Sequence, residues 1–553
     1  MGKLAGWAVK HPAWGVFWVS FILLSINLPG AEVLRIDVRF ALMVQELAKY
    51  PIGFFPTING SPYADYTVPY IYLSYLSTLG GRWVNAWSLA LPSLLLAGYL
   101  FSMTYLLGEK IRPYCGLMAV VMLYFTPEFI GVVRCFSLDI TVAAATITIA
   151  WLQSKKIQTV KDNIVIGLLL IAAFFMRGPI GLVMTGTALA GMLAFQQRWK
   201  AFFAWGVVGG VISVFCAAAA YGIIYRQGGQ ELLNLMYAWQ IGDRFQDGQK
   251  YLYYFTNAVG SYVLCYPLGL AVWVVCGKKL FAFRSDRGKD AEWLRFLCGW
   301  YLLPVIIISI PDSSHLRYIT LVMPALALTA AYGFMVLTNF SWRKYVDKLF
   351  YLLGMTAIVG GLAGALIMPW IVYFIAPAAD NAFWNYLLIP VIGLAAWRFK
   401  VWEPTRIFGR MAVSGAAAML IWSGVMYPII NLRETAAEFV HQAEAERLQG
   451  RVFLYNIEVD HDDLKYILSC ENSRRDSVYY LYDKPLRGHL KTMYPVLGNY
   501  EYLKSVTPAD VVIMRDYTFE KFDKLHPDMA GMFTKVAEGR MGHREFVAVK
   551  RTK

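Results

Sequence analysis

A polytopic α-helical membrane protein of about thirteen spans, with a small α/β extramembrane domain at its C-terminal end, is the fold class the sequence predicts. Three observations carry it. Of 553 residues, 58% are hydrophobic and only 16% charged, with a mean hydropathy of +0.46; a soluble chain is about 25% charged, so much of this surface must face lipid. Apolar runs near the roughly 20 residues that a span needs recur along residues 1–430. From residue 431 the runs stop, and short β-like segments alternate with helical ones. The net charge of +14 would suggest nucleic acid on a soluble protein. On a membrane protein it fits basic residues retained at the cytoplasmic face and attracted to anionic headgroups, and no nucleic-acid partner is expected.

The spans follow in order. Lys3 and Lys10 precede an apolar run from Trp14 to Leu28 with no small-x-small cleavage site after it, so it is a retained first span and not a signal peptide. Further runs lie at 88–107, 114–131, 137–153, 163–177, 179–195, 201–224, 256–276, 293–310, 318–338, 349–374, 385–398 and 411–430. Pro127, Arg177 and Pro179 punctuate the third to sixth. With the N-terminus inside, the inner connectors collect clusters such as Lys155, Lys156 and Lys161, or Arg343, Lys344 and Lys348. The outer connectors hold about half as many basic residues. An odd number of spans leaves residues 431–553 outside.

Two outer connectors, 30–87 and 225–255, are long, aromatic and supplied with carboxylates, which suggests that they build a site. In the first, Phe40, Met43, Val44 and Leu47 stand at helical spacing and predict a helix lying along the membrane surface. In the C-terminal domain, Arg433–Leu448 predicts an amphipathic helix, and Val452–Ile457, Val478–Tyr482, Val511–Met514 and Glu545–Val549 predict strands. There is no GxGxxG, Walker loop or internal repeat. The cysteines form no C-x-x-C pair and the histidines no HExxH, so the sequence supports neither a disulfide framework nor a metal site, and no cofactor is assigned.

The outer basic residues are mostly arginine: Arg35, Arg39, Arg82, Arg134, Arg177, Arg226, Arg244 and Arg317. A guanidinium grips two phosphate oxygens at once. Any one of these can simply snorkel to headgroups, whereas several converging on one cavity would recognise phosphate. Among the outer carboxylates, Asp139 stands where a span begins and is costly there unless paired or wet; a helix cap is its plain alternative. Asp37 can complement a helix dipole, and Asp65, in a turn-rich segment, can cap.

These residues resemble the polyprenyl-phosphate-dependent, GT-C-type glycosyltransferases, in particular the branch of the aminoarabinose transferases and protein O-mannosyltransferases. Ile36-Asp37-Val38-Arg39-Phe40-Ala41 is similar to that family's D-E-x-R-[YF]-A, with one acid of the pair replaced by Ile36. Pro62-Tyr63-Ala64-Asp65-Tyr66 is similar to its x-Y-F-[DE]-K, with Tyr66 in place of the lysine. Ser137-Leu138-Asp139 resembles its x-L-D, and Met176-Arg177-Gly178-Pro179 its [KR]-G-P step. Asp243-Arg244-Phe245 with Tyr253-Tyr254 resembles the second large outer loop, and Leu316-Arg317-Tyr318 through Pro324 a later K/R…Y…P stretch. Gln240 and Ile241 replace a Glu-His pair found in some relatives.

The resemblance implies a GT-C-like fold and an enzyme, acting as a monomer in a bacterial inner membrane, that moves a sugar from a polyprenyl-phosphate donor to an envelope acceptor such as lipid A. It implies Asp37, Asp65 and Asp139 as catalytic carboxylates. It implies Arg39, Arg177, Arg244, Arg317, Tyr318 and Tyr66 as donor-phosphate residues. It leaves open a divalent metal, which the residues themselves do not support. A protein O-glycosyltransferase of the same fold is one alternative. A transporter or flippase of a polyprenyl-linked glycan is another, against which stand the absent inverted repeat and the position of the acids in outer loops.

Overall fold

The computed structural model of the chain describes residues 11–29, 31–35, 37–155, 157–240, 242, 252–281, 288–311, 315–336, 343–375, 386, 388–403, 407–446, 450–457, 462–469, 478–484, 486, 496–542 and 544–552. Among the described residues, each predicted apolar run falls largely on one or two helices, beginning with Pro12–Ser25, Ala86–Ile111 and the pair Cys115–Tyr124 and Pro127–Arg134. Next come Asp139–Gln153, Val160–Arg177, Pro179–Phe195 and Trp199–Gln240. Six described helical stretches are long and apolar enough to cross a membrane, or seven if the bent pair counts as one span. Others, among them Pro12–Ser25, Asp139–Gln153 and Pro179–Phe195, are apolar but shorter.

Local chemistry sets the boundaries. Asn85 opens Ala86–Ile111 with a reciprocal capping box, its side chain accepting from the Ser88 amide at 2.8 Å while Ser88 Oγ accepts from the Asn85 amide at 3.0 Å. Pro127 starts its helix after Thr126, and the chain turns there by 82°. The third span is therefore a broken one. Its second arm delivers Arg134 and the Cys135–Leu138 link into the interior. Gly178, at φ +77°, ends Val160–Arg177 and lets Pro179 start the next helix at once. Gly191 and Gly299 let Pro179–Phe195 and Lys289–Ile308 touch backbone to backbone, since a Cβ on either would lie 2.0–2.1 Å from the other's carbonyl oxygen.

Two expectations about the long connectors change. Residues 225–240 are not loop: the helix Trp199–Gln240 runs on through a break at Gly228–Gly229, where Gly229 takes φ +60°. The predicted surface helix exists as Asp37–Glu46, but Phe40, Met43 and Val44 are buried. Its amphipathic spacing came from packing on both sides, because the helix is held between the bundle and the C-terminal helix Asp462–Ser469.

Residues 57–62 form a small hairpin, β1 (Thr57–Ile58) with β2 (Ser61–Pro62). The C-terminal sheet has six described strands: β3 (Val452–Tyr455), β4 (Val478–Leu481), β5 (Val496–Gly498), β6 (Val511–Arg515), β7 (Phe533–Met541) and β8 (Arg544–Arg551). Their order is β5-β4-β3-β6-β8-β7, the first four parallel and the last two antiparallel to their neighbours. The predicted helix 433–448 is split into Tyr427–Glu434 and Ala437–Glu446. At the break the Glu32 carboxylate accepts from the Thr435 hydroxyl and, at 3.2 Å, from the Ala436 amide. That contact ties the helix break to the first long connector, and the hydrogen bond from Asn59 Nδ2 to the Tyr480 hydroxyl (3.4 Å) ties the sheet to it.

Candidate active site

The buried end of the helix Asp37–Glu46, the Cys135–Leu138 link and the ends of several other helices enclose a cavity of about 340 Å³. Asp37 lines it, as do Tyr66, Arg134, Asp139, Arg177 and Arg317. Leu28, Val132, Trp422 and Ile430 are among its apolar lining residues.

Asp37 stands at the start of its helix and is only 9% exposed. Its Oδ2 accepts the Phe136 amide at 3.2 Å, and its Oδ1 is buried with no hydrogen-bond partner among the described residues. The Phe136 ring is fixed between Phe40 (4.1 Å) and Tyr70 (5.0 Å), and Ser93 Oγ accepts the next amide, of Ser137, at 3.0 Å. Burial pushes the Asp37 carboxyl from 3.8 up to about 7, opposed by the Phe136 amide and by the Arg317 charge. A carboxyl poised near neutrality, with one oxygen unused, is suited to taking a proton.

Asp139 opens its helix and holds two guanidiniums. Arg177 Nε donates to Oδ1 at 2.9 Å, and Arg317 Nε lies 3.5 Å from Oδ2. The Gly178–Pro179 step brings Arg177 to this point, since it stops the helix with Arg177 as its last residue. Tyr318 lies under both guanidiniums, 5.7 Å from that of Arg177 and 5.8 Å from that of Arg317. The Tyr66 ring is 5.4 Å from Arg177, and its hydroxyl accepts from Arg317 Nη2 at 3.5 Å. Two cations sharing one carboxylate leave a net positive charge in a buried site, an arrangement suited to an oxyanion.

Other expected residues take different places. Arg39 donates to the Tyr63 hydroxyl and lies over its ring, so it braces the Tyr63–Tyr66 stack and does not line the cavity. Gln240 Nε2 donates to the Ala64 carbonyl at 2.9 Å and Thr67 Oγ1 to the Phe175 carbonyl at 2.7 Å, fixing the same segment. Asp65, half-buried beside Tyr66, is not among the cavity-lining residues. Burial raises the Tyr66 hydroxyl pKa, with Asp65 adding to the rise and the arginines opposing it. Asp243, Arg244 and Phe245 lie outside the described residues. Among the described residues no three His, Cys, Asp or Glu side chains gather as metal ligands.

Sequence reasoning counted Arg134 among the outer arginines and Glu128 among the outer carboxylates without choosing either for the site, and did not single out Trp422 or Tyr427; all four line the cavity. The signal available for Arg134 was an arginine at the end of a short segment opened by Pro127. Trp422 and Tyr427 came from a run read only as the last span, and a π-turn at Trp422–Met426 brings them to the cavity.

No family model matches the sequence, and no curated protein does. Among solved structures the chain superposes on ArnT from Cupriavidus metallidurans bound to undecaprenyl phosphate, with a TM-score of 0.68 at 14% identity over 98% of both chains. The apo state of that protein gives 0.67, again at 14% identity, over 99% of this chain and 98% of that one. At this identity the likeness is one of fold. The chain shares the fold of ArnT over 98% of its length.

Proposed function

We propose that this protein is an integral-membrane glycosyltransferase that moves a sugar from a polyprenyl-phosphate donor to a cell-envelope acceptor such as lipid A, at the outer face of a bacterial inner membrane. The observation that carries it is the pairing, in one buried cavity, of an Arg177–Arg317 couple seated on Asp139 with a near-neutral carboxyl, Asp37, that has a free oxygen. Arg177 and Arg317 bind the donor phosphate. As the bond between the sugar C1 and the phosphate oxygen breaks, its electron pair goes to that oxygen, and the two guanidiniums stabilise the charge that develops there. The acceptor oxygen forms the new bond to C1. If it is a hydroxyl, its proton passes to Asp37; an acceptor that is already an anion needs no base, and Asp37 then positions the sugar. Asp139 sets the geometry of the arginines. Tyr66 and Tyr318 flank them, Asp65 supports Tyr66, and Arg39 acts through Tyr63.

The ArnT likeness, with undecaprenyl phosphate bound in one of the two structures, supports a lipid-phosphate donor. The test is a transfer assay on purified full-length protein with a panel of polyprenyl-phosphate sugars, followed by mass spectrometry of lipid A and other envelope glycans. A sugar-bearing product that disappears in Asp37→Asn supports the proposal. No transfer to any acceptor, together with no binding of undecaprenyl phosphate, overturns it.

A further inference from the structure

One cation in the cavity, Arg134, has no ion-pair partner among the described residues. Arg134 is 2% exposed, and its Nε donates to the Leu24 carbonyl at 2.8 Å and its Nη2 to the Ile26 carbonyl. The guanidinium lies 4.1 Å from the centre of the Tyr427 ring. Its Nη1 is buried with no hydrogen-bond partner among the described residues, none of whose carboxylates is within ion-pair distance. Arg177 and Arg317 differ on this point, since both rest on Asp139. Arg35, which also lines the cavity, is close enough to Glu128 to interact with it. Taking a cation out of water without an opposite charge costs several kcal/mol. The two carbonyls and the tyrosine face offset part of that cost and hold the guanidinium in place, with one nitrogen still unused.

We infer that Arg134 is a second oxyanion subsite, separate from the Arg177–Arg317 couple, and that the cavity takes two anionic groups at once. The inference rests on the transferase reading above and specifies it further. The second anion is a phosphate or a carboxylate, carried either by the acceptor or by the transferred sugar. The same geometry disfavours a cationic group at this point, because an ammonium beside an unpaired buried guanidinium adds repulsion with no compensating bond.

The experiment uses full-length protein in neutral-lipid nanodiscs saturated with undecaprenyl phosphate, and inorganic phosphate as the probe. Wild type is expected to bind phosphate in addition to the lipid. Arg134→Gln is expected to weaken that binding at least tenfold while keeping undecaprenyl phosphate affinity within about twofold. Unchanged phosphate binding in Arg134→Gln overturns the subsite. If this variant does not fold, the thermal midpoint of wild type decides: a rise with phosphate on top of saturating lipid supports the subsite, and its absence overturns it. Arg317→Gln separates the two claims. Loss of lipid binding there with phosphate binding retained supports both; retained lipid binding removes the donor assignment and leaves Arg134 to stand on its own result. Competition by methyl glucuronide against glucosamine 1-phosphate then distinguishes the sources, since the stronger competitor tells whether the anion is a sugar carboxylate or an acceptor phosphate.

Discussion

Replacing Asp37 by asparagine is expected to stabilise the protein at neutral and alkaline pH while abolishing transfer. Burial holds the folded carboxyl at about 7 instead of 3.8. The folded pKa is raised, so the stability tied to the protonated form is fully present below about 3.8 and is lost as the pH rises through about 7. That difference corresponds to about 4 kcal/mol. Asparagine has the size of the protonated acid, can still accept the Phe136 amide, and carries no charge to bury. The variant should therefore match wild type near pH 4 and exceed it progressively up to about pH 8, by at most about 4 kcal/mol. The assay is the thermal midpoint of both proteins across that range, with turnover measured in parallel. For a hydroxyl acceptor, wild-type turnover should rise through about pH 7 as the base loses its proton. Equal midpoints at every pH, or a variant that still turns over, would refute the placement of a strained, reactive carboxyl at this position.

Three further outcomes follow from other parts of the structure. Asp139→Asn leaves Arg177 and Arg317 without their shared carboxylate and should cost about 3–5 kcal/mol of stability, part of it restored by undecaprenyl phosphate; a midpoint equal to wild type would contradict the ion-pair seat. Gly178→Ala forces a side chain into φ +77°, at a cost of about 1–3 kcal/mol, and should lower the midpoint and displace Arg177, weakening undecaprenyl phosphate binding as well. Reporter fusions at Gly288 and Gly450 should fall in opposite compartments, and a shared compartment would reverse the proposed topology.

The membrane class was legible in the sequence because lipid-facing composition and span length are nearly context-free constraints. The fold's finer features were less so. Pro127 announced an interruption but not an 82° bend, and the bend decides that Arg134 enters the cavity. The period of Phe40, Met43 and Val44 was read correctly as helix, but their burial between two protein layers was not legible, since amphipathic spacing cannot tell lipid headgroups from a second protein layer. Strands β5 and β7 were missed for physical reasons. β5 has three residues at a sheet edge, and β7 is an edge strand whose middle residues Thr534–Arg540 are exposed or half-exposed, which removes the apolar alternation. In the site, the motif resemblance brought Asp37, Asp139, Arg177, Arg317 and Tyr66 onto one list, and all five line one cavity. It gave no means of separating Asp139, ion-paired to two arginines, from Asp37, which feels the Arg317 charge without an ion pair; that difference arises from tertiary contacts.

The central claim is that Arg177 and Arg317 together hold a lipid phosphate. It is tested most directly by undecaprenyl phosphate binding to wild type, Arg177→Lys and Arg317→Lys in neutral-lipid nanodiscs. Lysine keeps the charge but loses the planar fork, and the loss of one charge-assisted hydrogen bond removes about 1.5–3 kcal/mol. Each variant should therefore bind about ten- to a hundredfold more weakly than wild type. If both bind as wild type does, these arginines serve only to neutralise Asp139, and the donor phosphate sits elsewhere.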